Sequence, residues 1–344
     1  VGTLEPNSLT ESTRKLAKRK DARYLQLEAY DVNFEDKEVV LQDQDGRNFH
    51  LPYDKLVIAV GSQSTTFNVP GVQDNCVFLK SLDDAVRIRS IILSNFERAS
   101  LPTTTDTERA RLLSFAVCGG GPTGTELLAE LHDFIHDDLL RYFPTIRPSD
   151  IRLSIIQSQD HILNTYDKAI SEYCEKQFKR NNINVLVNAR VTRVEPHHVL
   201  YTEKGDPSKE EKSLDVGMCL WATGIDMIPF TKRIKQRLEA QNKTRTLAVD
   251  QFLTLKGIED ESVYAIGDCS SIVHPKLTDQ VVDFFRQADH DNSGDLTLEE
   301  FEQETIKLTA LHPHLAVHLD KTLKLVERFD ADHSSIVLHC PWSM

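Results

Sequence analysis

Residues Gly119-Gly120-Gly121-Pro122-Thr123-Gly124 follow an apolar run, Phe115-Ala116-Val117-Cys118, and lead into a segment of helical character from about Thr125 to Leu140. Three glycines at G-x-G-x-x-G spacing between a strand and a helix constrain the fold strongly. The first allows a tight turn, the second lets backbone approach a pyrophosphate, and the third lets helix and strand pack closely. The helix N-terminus then faces the anion. Gly119, Gly121 and Gly124 are therefore expected to hold a dinucleotide, not merely to turn the chain.

The next strand in that unit, Leu153-Ser154-Ile155-Ile156, ends in Gln157. An NAD site usually places Asp or Glu there, to bond the ribose 2′-OH. A carboxylate would repel a 2′-phosphate, whereas a neutral amide would not and could donate to it. Gln157 tilts the reading towards NADPH; the alternative is that it tolerates NADPH and NADH alike. The interval from Gly124 to Gln157 exceeds the ~20 residues of the simplest fingerprint. Tyr142-Phe143-Pro144 and Arg147-Pro148 can absorb the difference as a loop. Glu126 and Glu130 lie near the helix start, where negative charge suits the dipole. Glu126 is also in position to reach the edge of a nicotinamide or flavin.

Around this turn the pattern is α/β. A β-meander is expected at 24–27, 39–41 and 49–51, with Gln44-Asp45-Gly46 as a hairpin turn, and Lys55–Val60 reads as a buried parallel strand. Ser81 with Asp84 forms a capping box for a helix, and residues 100–112 read as a surface loop. Strand 151–156, helix 167–181 and strands near 184–187, 198–202 and 216–221 imply a doubly wound domain. Residues 231–246 read as a basic helix and 263–266 as a last buried strand, with a boundary near His274-Pro275. The six cysteines form no CxxC pair and no zinc spacing, so buried free thiols are expected. The net charge of −13 argues against a nucleic-acid partner and suits cation binding. No apolar run reaches the ~18 residues of a membrane-spanning helix.

Asp289-His290-Asp291-Asn292-Ser293-Gly294-Asp295-Leu296-Thr297-Leu298-Glu299-Glu300 fits the EF-hand calcium loop. Asp289, Asp291 and Ser293 supply oxygens at positions 1, 3 and 5, and Gly294 makes the turn. Asp295 offers its carbonyl, and Glu300 can bind bidentately at position 12. Val281–Phe285 and Phe301 provide apolar flanks. Asp330-Ala331-Asp332-His333-Ser334 begins like a second loop, but Ser335 replaces the glycine and Pro341 the glutamate, so it is expected not to bind.

Four motifs occur in order: Tyr53–Ser62, Gly119–Glu126, Trp221-Ala222-Thr223-Gly224 and Tyr264-Ala265-Ile266-Gly267-Asp268. Together they resemble the two-dinucleotide-binding-domain flavoproteins. The nearest resemblance is to the type II, rotenone-insensitive NAD(P)H:quinone dehydrogenases of mitochondria, in their external EF-hand-bearing subgroup. The resemblance covers roughly residues 1–305. It implies a Rossmann-like fold with a partial FAD-binding domain (1–80, returning at 226–275), an NAD(P)H-binding domain (81–225) and an α-helical EF-hand insertion (276–344). It implies Gly61, Ser62 and Asp268 at FAD, Glu126 at the nicotinamide–flavin contact, and Thr223 and Gly224 in the passage between domains. Members with Gln at the position of Gln157 are similar to NADPH-preferring enzymes.

The implied chemistry is hydride transfer from NADPH or NADH to FAD, then two-electron reduction of ubiquinone without proton pumping, under calcium control. The implied location is the intermembrane-space face of the mitochondrial inner membrane, with peripheral membrane association and a homodimer among the possible assemblies. Lack of CxxC separates the chain from disulfide reductases. The family's opening glycine fingerprint for FAD is expected upstream of Val1, and the chain reads as a fragment. Residues 337–344 do not match the family's Ala-Gln-Gln-Gly quinone segment. A non-catalytic calcium-binding module with a vestigial nucleotide fold is the alternative.

Overall fold

The structure, a computed structural model, describes residues 6–273 apart from 209 and 243. Beyond them it describes 287–291, 293, 295–297, 299–300, 302–303, 306–307 and 336–339. Contacts divide the chain into two units, Val1–Ser271 and Ile272–Met344. The expected boundary at His274-Pro275 falls outside the described residues, as do Val281–Phe285, Phe301, residues 330–335 and Pro341.

In the first unit, β1 (Glu28–Asn33), β2 (Glu38–Gln42) and β3 (Asn48–Pro52) form an antiparallel meander. Asp43 ties the β2–β3 turn by accepting from the backbone N–H groups of Asp45 and Arg47. The first strand begins at Glu28, later than the expected 24–27. The register explains the shift, because it sets buried Val32 opposite buried Val39, whereas Tyr24 is exposed. The expected strand at 55–60 shortens to β4 (Leu56–Ile58), and it is not buried throughout. It pairs only with Val263–Ala265 among the described residues, so Ile58 is buried while Val57 is 56% exposed.

The second part of this unit opens with β5 (Cys76–Phe78) and α1 (Leu82–Ala99), whose expected capping box is present. Residues 100–112 are not all loop. Thr105 caps α2 (Asp106–Leu112), and Leu112 anchors it in the core. Then come β6 (Ser114–Cys118), α3 (Pro122–Asp133), a π-helical turn at Phe134–Leu139, and β7 (Arg152–Ile156). Pro122 starts α3 earlier than expected, because its fixed φ suits the first helical position. α4 (Lys168–Arg180), β8 (Asn184–Leu186), β9 (Ala189–Glu195), β10 (His198–Glu203), β11 (Lys212–Asp215) and β12 (Met218–Trp221) complete it.

The strands make a five-stranded parallel sheet in the order β5-β12-β6-β7-β8. One face carries the helices: Ile92 and Phe96 of α1, Leu128 and Leu131 of α3, and Phe178 of α4 cover Phe115, Val117, Leu153 and Ile155. Full burial of each such side chain contributes ~1.5–3 kcal/mol. The other face is covered by the antiparallel sheet β9-β10-β11, through Val194, Val199 and Tyr201 on Cys118, Ile156, Cys219 and Trp221. The domain is therefore not doubly wound by helices, because a sheet replaces them on one side. Of its strands only 198–202 was expected; Arg190 and Arg193 interrupt the apolar pattern of β9.

Cys76, Cys118 and Cys219 line up on this second face, with Sγ–Sγ separations of 3.4 Å (Cys76–Cys219) and 3.6 Å (Cys118–Cys219). All are free thiols, as are buried Cys269 and half-buried Cys174. Cys340 lies outside the described residues.

The chain then returns to the meander. α5 (Pro229–Arg237) ends earlier than the expected basic helix, giving way to a 3-10 turn at Glu239–Gln241. β13 (Val263–Ala265) runs parallel to β4. Val32, Ile58, Phe230, Ile234, Val249 and Val263 form one core, so residues before 80 and after 226 pack together. In the second unit, β14 (Asp295–Thr297) pairs antiparallel with β15 (Ile336–His339).

Candidate functional site

A cavity of about 980 Å³ opens at the carboxyl ends of β12, β6 and β7. Its walls are the segments that follow these strands: Gly119–Thr123 after β6, Gln157–Gln159 after β7, and Ala222–Gly224 after β12. Parallel sheets bind ligands in this crevice, where neighbouring connections leave in different directions.

Each glycine of the turn meets a different constraint. Gly119 has φ +112°, and a Cβ there would lie 2.4 Å from the Ala222 carbonyl oxygen. At Gly124 a Cβ would come within 2.0 Å of the Gly119 carbonyl, so only glycine lets α3 sit against the turn. Gly121 has nothing within 4 Å of that position. Its backbone, the N-cap of α3, faces open cavity where an anion can meet the helix N-terminus.

Gln157 is only 9% exposed, and its amide is engaged. Its Oε1 accepts from the N–H of Ser158 (3.1 Å) and of Gly120 (3.4 Å), and its Nε2 donates to the His161 carbonyl (3.4 Å). It braces the glycine turn from behind. Across the cavity, the Thr223 hydroxyl is buried and lacks a hydrogen-bond partner, a donor aimed at no protein acceptor. Gly224 has φ +149°. Glu126 is exposed on α3 and does not line the cavity. One residue past inward-facing Thr125, it is turned to solvent by the helical period.

A second cluster lies beyond the ends of parallel β4 and β13. Asp268 accepts from Lys80 (2.5 Å) and from the Ser62 hydroxyl (3.4 Å). The Lys80 ammonium holds the Asp268 carboxyl below its ordinary range. Gly61, beside Ser62, has φ +66° and open space around it. The structure thus brings Gly61, Ser62 and Asp268 together at one sheet edge, suited to the hydroxyls and phosphates of a bound nucleotide.

In the second unit, carboxylate oxygens of Asp289, Asp291 and Glu300 lie within 4.8 Å of one another. The Ser293 N–H donates to both Asp289 and Asp291 at 2.9 Å. Glu300 accepts from the N–H of His290 and from Thr297, whose N–H holds its carboxyl below the ordinary range. A hydrogen bond from the Ser293 hydroxyl lowers Asp291 likewise. Asp295 enters through its backbone in β14. Gly294 lies outside the described residues. An all-oxygen, ionised donor set fits a hard divalent cation.

Phe67, Arg190 and Lys204 are among the cavity residues that sequence reasoning missed. Phe67 and Asn68 take consecutive left-handed conformations (φ +50° and +56°), and the Phe67 ring is 64% exposed. Nothing in the local sequence marks that strain. Arg190 lies in a strand that went unread, and Lys204 directly follows the strand paired with it.

A family model for pyridine nucleotide-disulphide oxidoreductases matches residues 4–288. The chain belongs to this family. The α/β flavoprotein fold expected of it is present. The chain is 39% identical over 92% of its length to an Arabidopsis thaliana protein, the mitochondrial external alternative NAD(P)H-ubiquinone oxidoreductase B2. It is 39% identical over 79% of its length to the mitochondrial external NADH-ubiquinone oxidoreductase 2 of Saccharomyces cerevisiae. It spans about half the length of these relatives, 55% and 50%. A solved structure of NDH2 from Plasmodium falciparum in complex with NADH matches with TM-score 0.78 and 34% identity, over 92% of this chain and 64% of the other.

Proposed function

We propose that the chain is the nucleotide-handling part of an FAD-dependent NAD(P)H:quinone oxidoreductase. The observation that carries this reading is the cavity after β6, β7 and β12, with its open glycine turn and unpartnered Thr223 hydroxyl. Relatives named as NAD(P)H-ubiquinone oxidoreductases support it. Gly121, at the N-terminus of α3, receives the pyrophosphate on the backbone there, while Gly119, whose N–H is held by the Ile156 carbonyl, and Gly124 shape the turn that lets it approach. Thr223 bonds the nicotinamide end, and Gly224 keeps the passage open. Gly61, Ser62 and Asp268 hold FAD, which when bound accepts hydride from the nicotinamide and passes two electrons to ubiquinone. Glu126 orients groups at the rim of that contact. Its carboxylate is tested by Glu126→Gln, expected to lower quinone turnover with NAD(P)H affinity unchanged in a direct titration. The reaction takes place at the outer face of the mitochondrial inner membrane and pumps no protons.

Purified protein supplied with FAD is expected to show flavin absorbance that bleaches with NADPH or NADH and to reduce a soluble ubiquinone analogue. Colourless protein that binds only NAD(P)H and calcium would make the chain a binding module instead.

The second unit binds calcium and regulates turnover. Pairing of β14 with β15 supports this, since loop positions 7–9 face the corresponding stretch of the degenerate loop. Calorimetric titration is expected to give one site, with affinity in the ~10⁻⁷–10⁻⁵ M sensor range. Glu300→Gln removes a bidentate ligand and should weaken it at least ~10-fold, the worth of a charged contact. NADPH oxidation unchanged by EGTA would remove the regulatory role.

A further inference from the structure

We propose that Arg190 and Lys204, not Gln157, form a subsite for a 2′-phosphate on the adenosine ribose, and so set the preference for NADPH over NADH. The inference rests on the dinucleotide reading of the same cavity and deepens it.

The adenosine ribose of a G-x-G-x-x-G site lies at the end of the second strand, here β7. The residue at that end, Gln157, has its amide turned inward onto Gly120, Ser158 and His161. Recognition of a dianion there must come from elsewhere. The backbone shows from where. Gln157 O accepts from Ala189 N (2.9 Å), and Gln159 O accepts from Asn188 N (2.7 Å). Asn188 O in turn accepts from Lys204 N (2.7 Å). The end of β7 is thus zipped to the start of β9, and that to the end of β10. This ladder puts Arg190 and Lys204 on the cavity wall beside the ribose position.

The local charges favour an anion. Arg190 and Lys204 are exposed, and neither has an ion-pair partner among the described residues. Two carboxylates also line this wall, but both are occupied. Glu203 is paired with Lys212 at 2.7 Å, and Asp206 accepts from the N–H and hydroxyl of Ser208. A planar guanidinium and an ammonium without partners, at the end of the second strand, match a phosphomonoester dianion. NADH would leave both cations solvated, with little loss.

The test uses the whole chain and calorimetric titration with NADPH, NADH, 2′,5′-ADP and 5′-ADP. In Arg190→Gln/Lys204→Gln, NADPH and 2′,5′-ADP are expected to bind about tenfold or more weaker, while NADH and 5′-ADP hold. Raising salt should weaken NADPH more than NADH in the parent and equalise them in the variant. Gln157→Ala, which loosens the glycine turn, should weaken both cofactors together and leave their ratio unchanged. A double variant with an unchanged NADPH:NADH ratio would overturn the subsite alone. A parent that binds neither cofactor would overturn both the subsite and the dinucleotide reading.

Discussion

At the scale of single residues, the glycine turn separates two demands that look identical in sequence. Gly124→Ala drives a methyl group into the Gly119 carbonyl, 2.0 Å away, and the backbone must shift. It should lower stability by ~1–3 kcal/mol, the cost of overpacking, with dinucleotide binding lost as well. Gly121→Ala meets empty space. Its melting temperature should stay put while NAD(P)H affinity falls, because the methyl occupies the approach of the pyrophosphate. Thermal melting and titration of the two variants separate fold from site. The turn was legible because spacing and flanking periodicity suffice to fix it. The inward amide of Gln157 was not, since its partners at Gly120 and His161 come close only once β6 and β7 are paired.

At the scale of elements, local signals sufficed where they were dense. Ser81 and Asp84 exchange hydrogen bonds as their spacing implies, Asp84 accepting from Ser81 N at 2.8 Å. Ser81→Ala should cost ~0.5–2 kcal/mol in chemical denaturation without altering cofactor binding. Where the signal was long-range, reading failed. The polar, Thr-rich stretch before β6 hid α2, which Thr105 caps and Leu112 anchors. β9 and β11 were missed because their burial depends on a sheet laid over another sheet, and their charged residues face out. Arg190 and Lys204 became visible as site residues only through that sheet.

At the scale of the whole molecule, the row of thiols between the two sheets links stability to pH. The bond to Cys219 and burial raise the Cys76 thiol, and the bond to Cys118 raises Cys219, both far above the ordinary value of 9.0. Groups raised in the folded state stabilise it fully below the unfolded value. That contribution drains away as pH rises past 9.0, because only the unfolded chain then ionises. Urea midpoints should therefore fall from pH 9 upward, and alkylating reagents should label Cys76, Cys118 and Cys219 only after unfolding. A flat midpoint to pH 10.5 would show that Cys76 and Cys219 ionise in place.

The position of β12 also bears on how the protein is made. Met218–Trp221 slots between β5 and β6, yet it is the last strand of that sheet to leave the ribosome. At ~5–20 residues per second, the nascent chain waits for seconds with a bare strand edge on either side of the gap. During that interval the half-built sheet is a template for any passing strand. The nucleotide-binding domain therefore folds late and over long sequence separations, and a transcript that ends before Trp221 should yield aggregates instead of a smaller working domain.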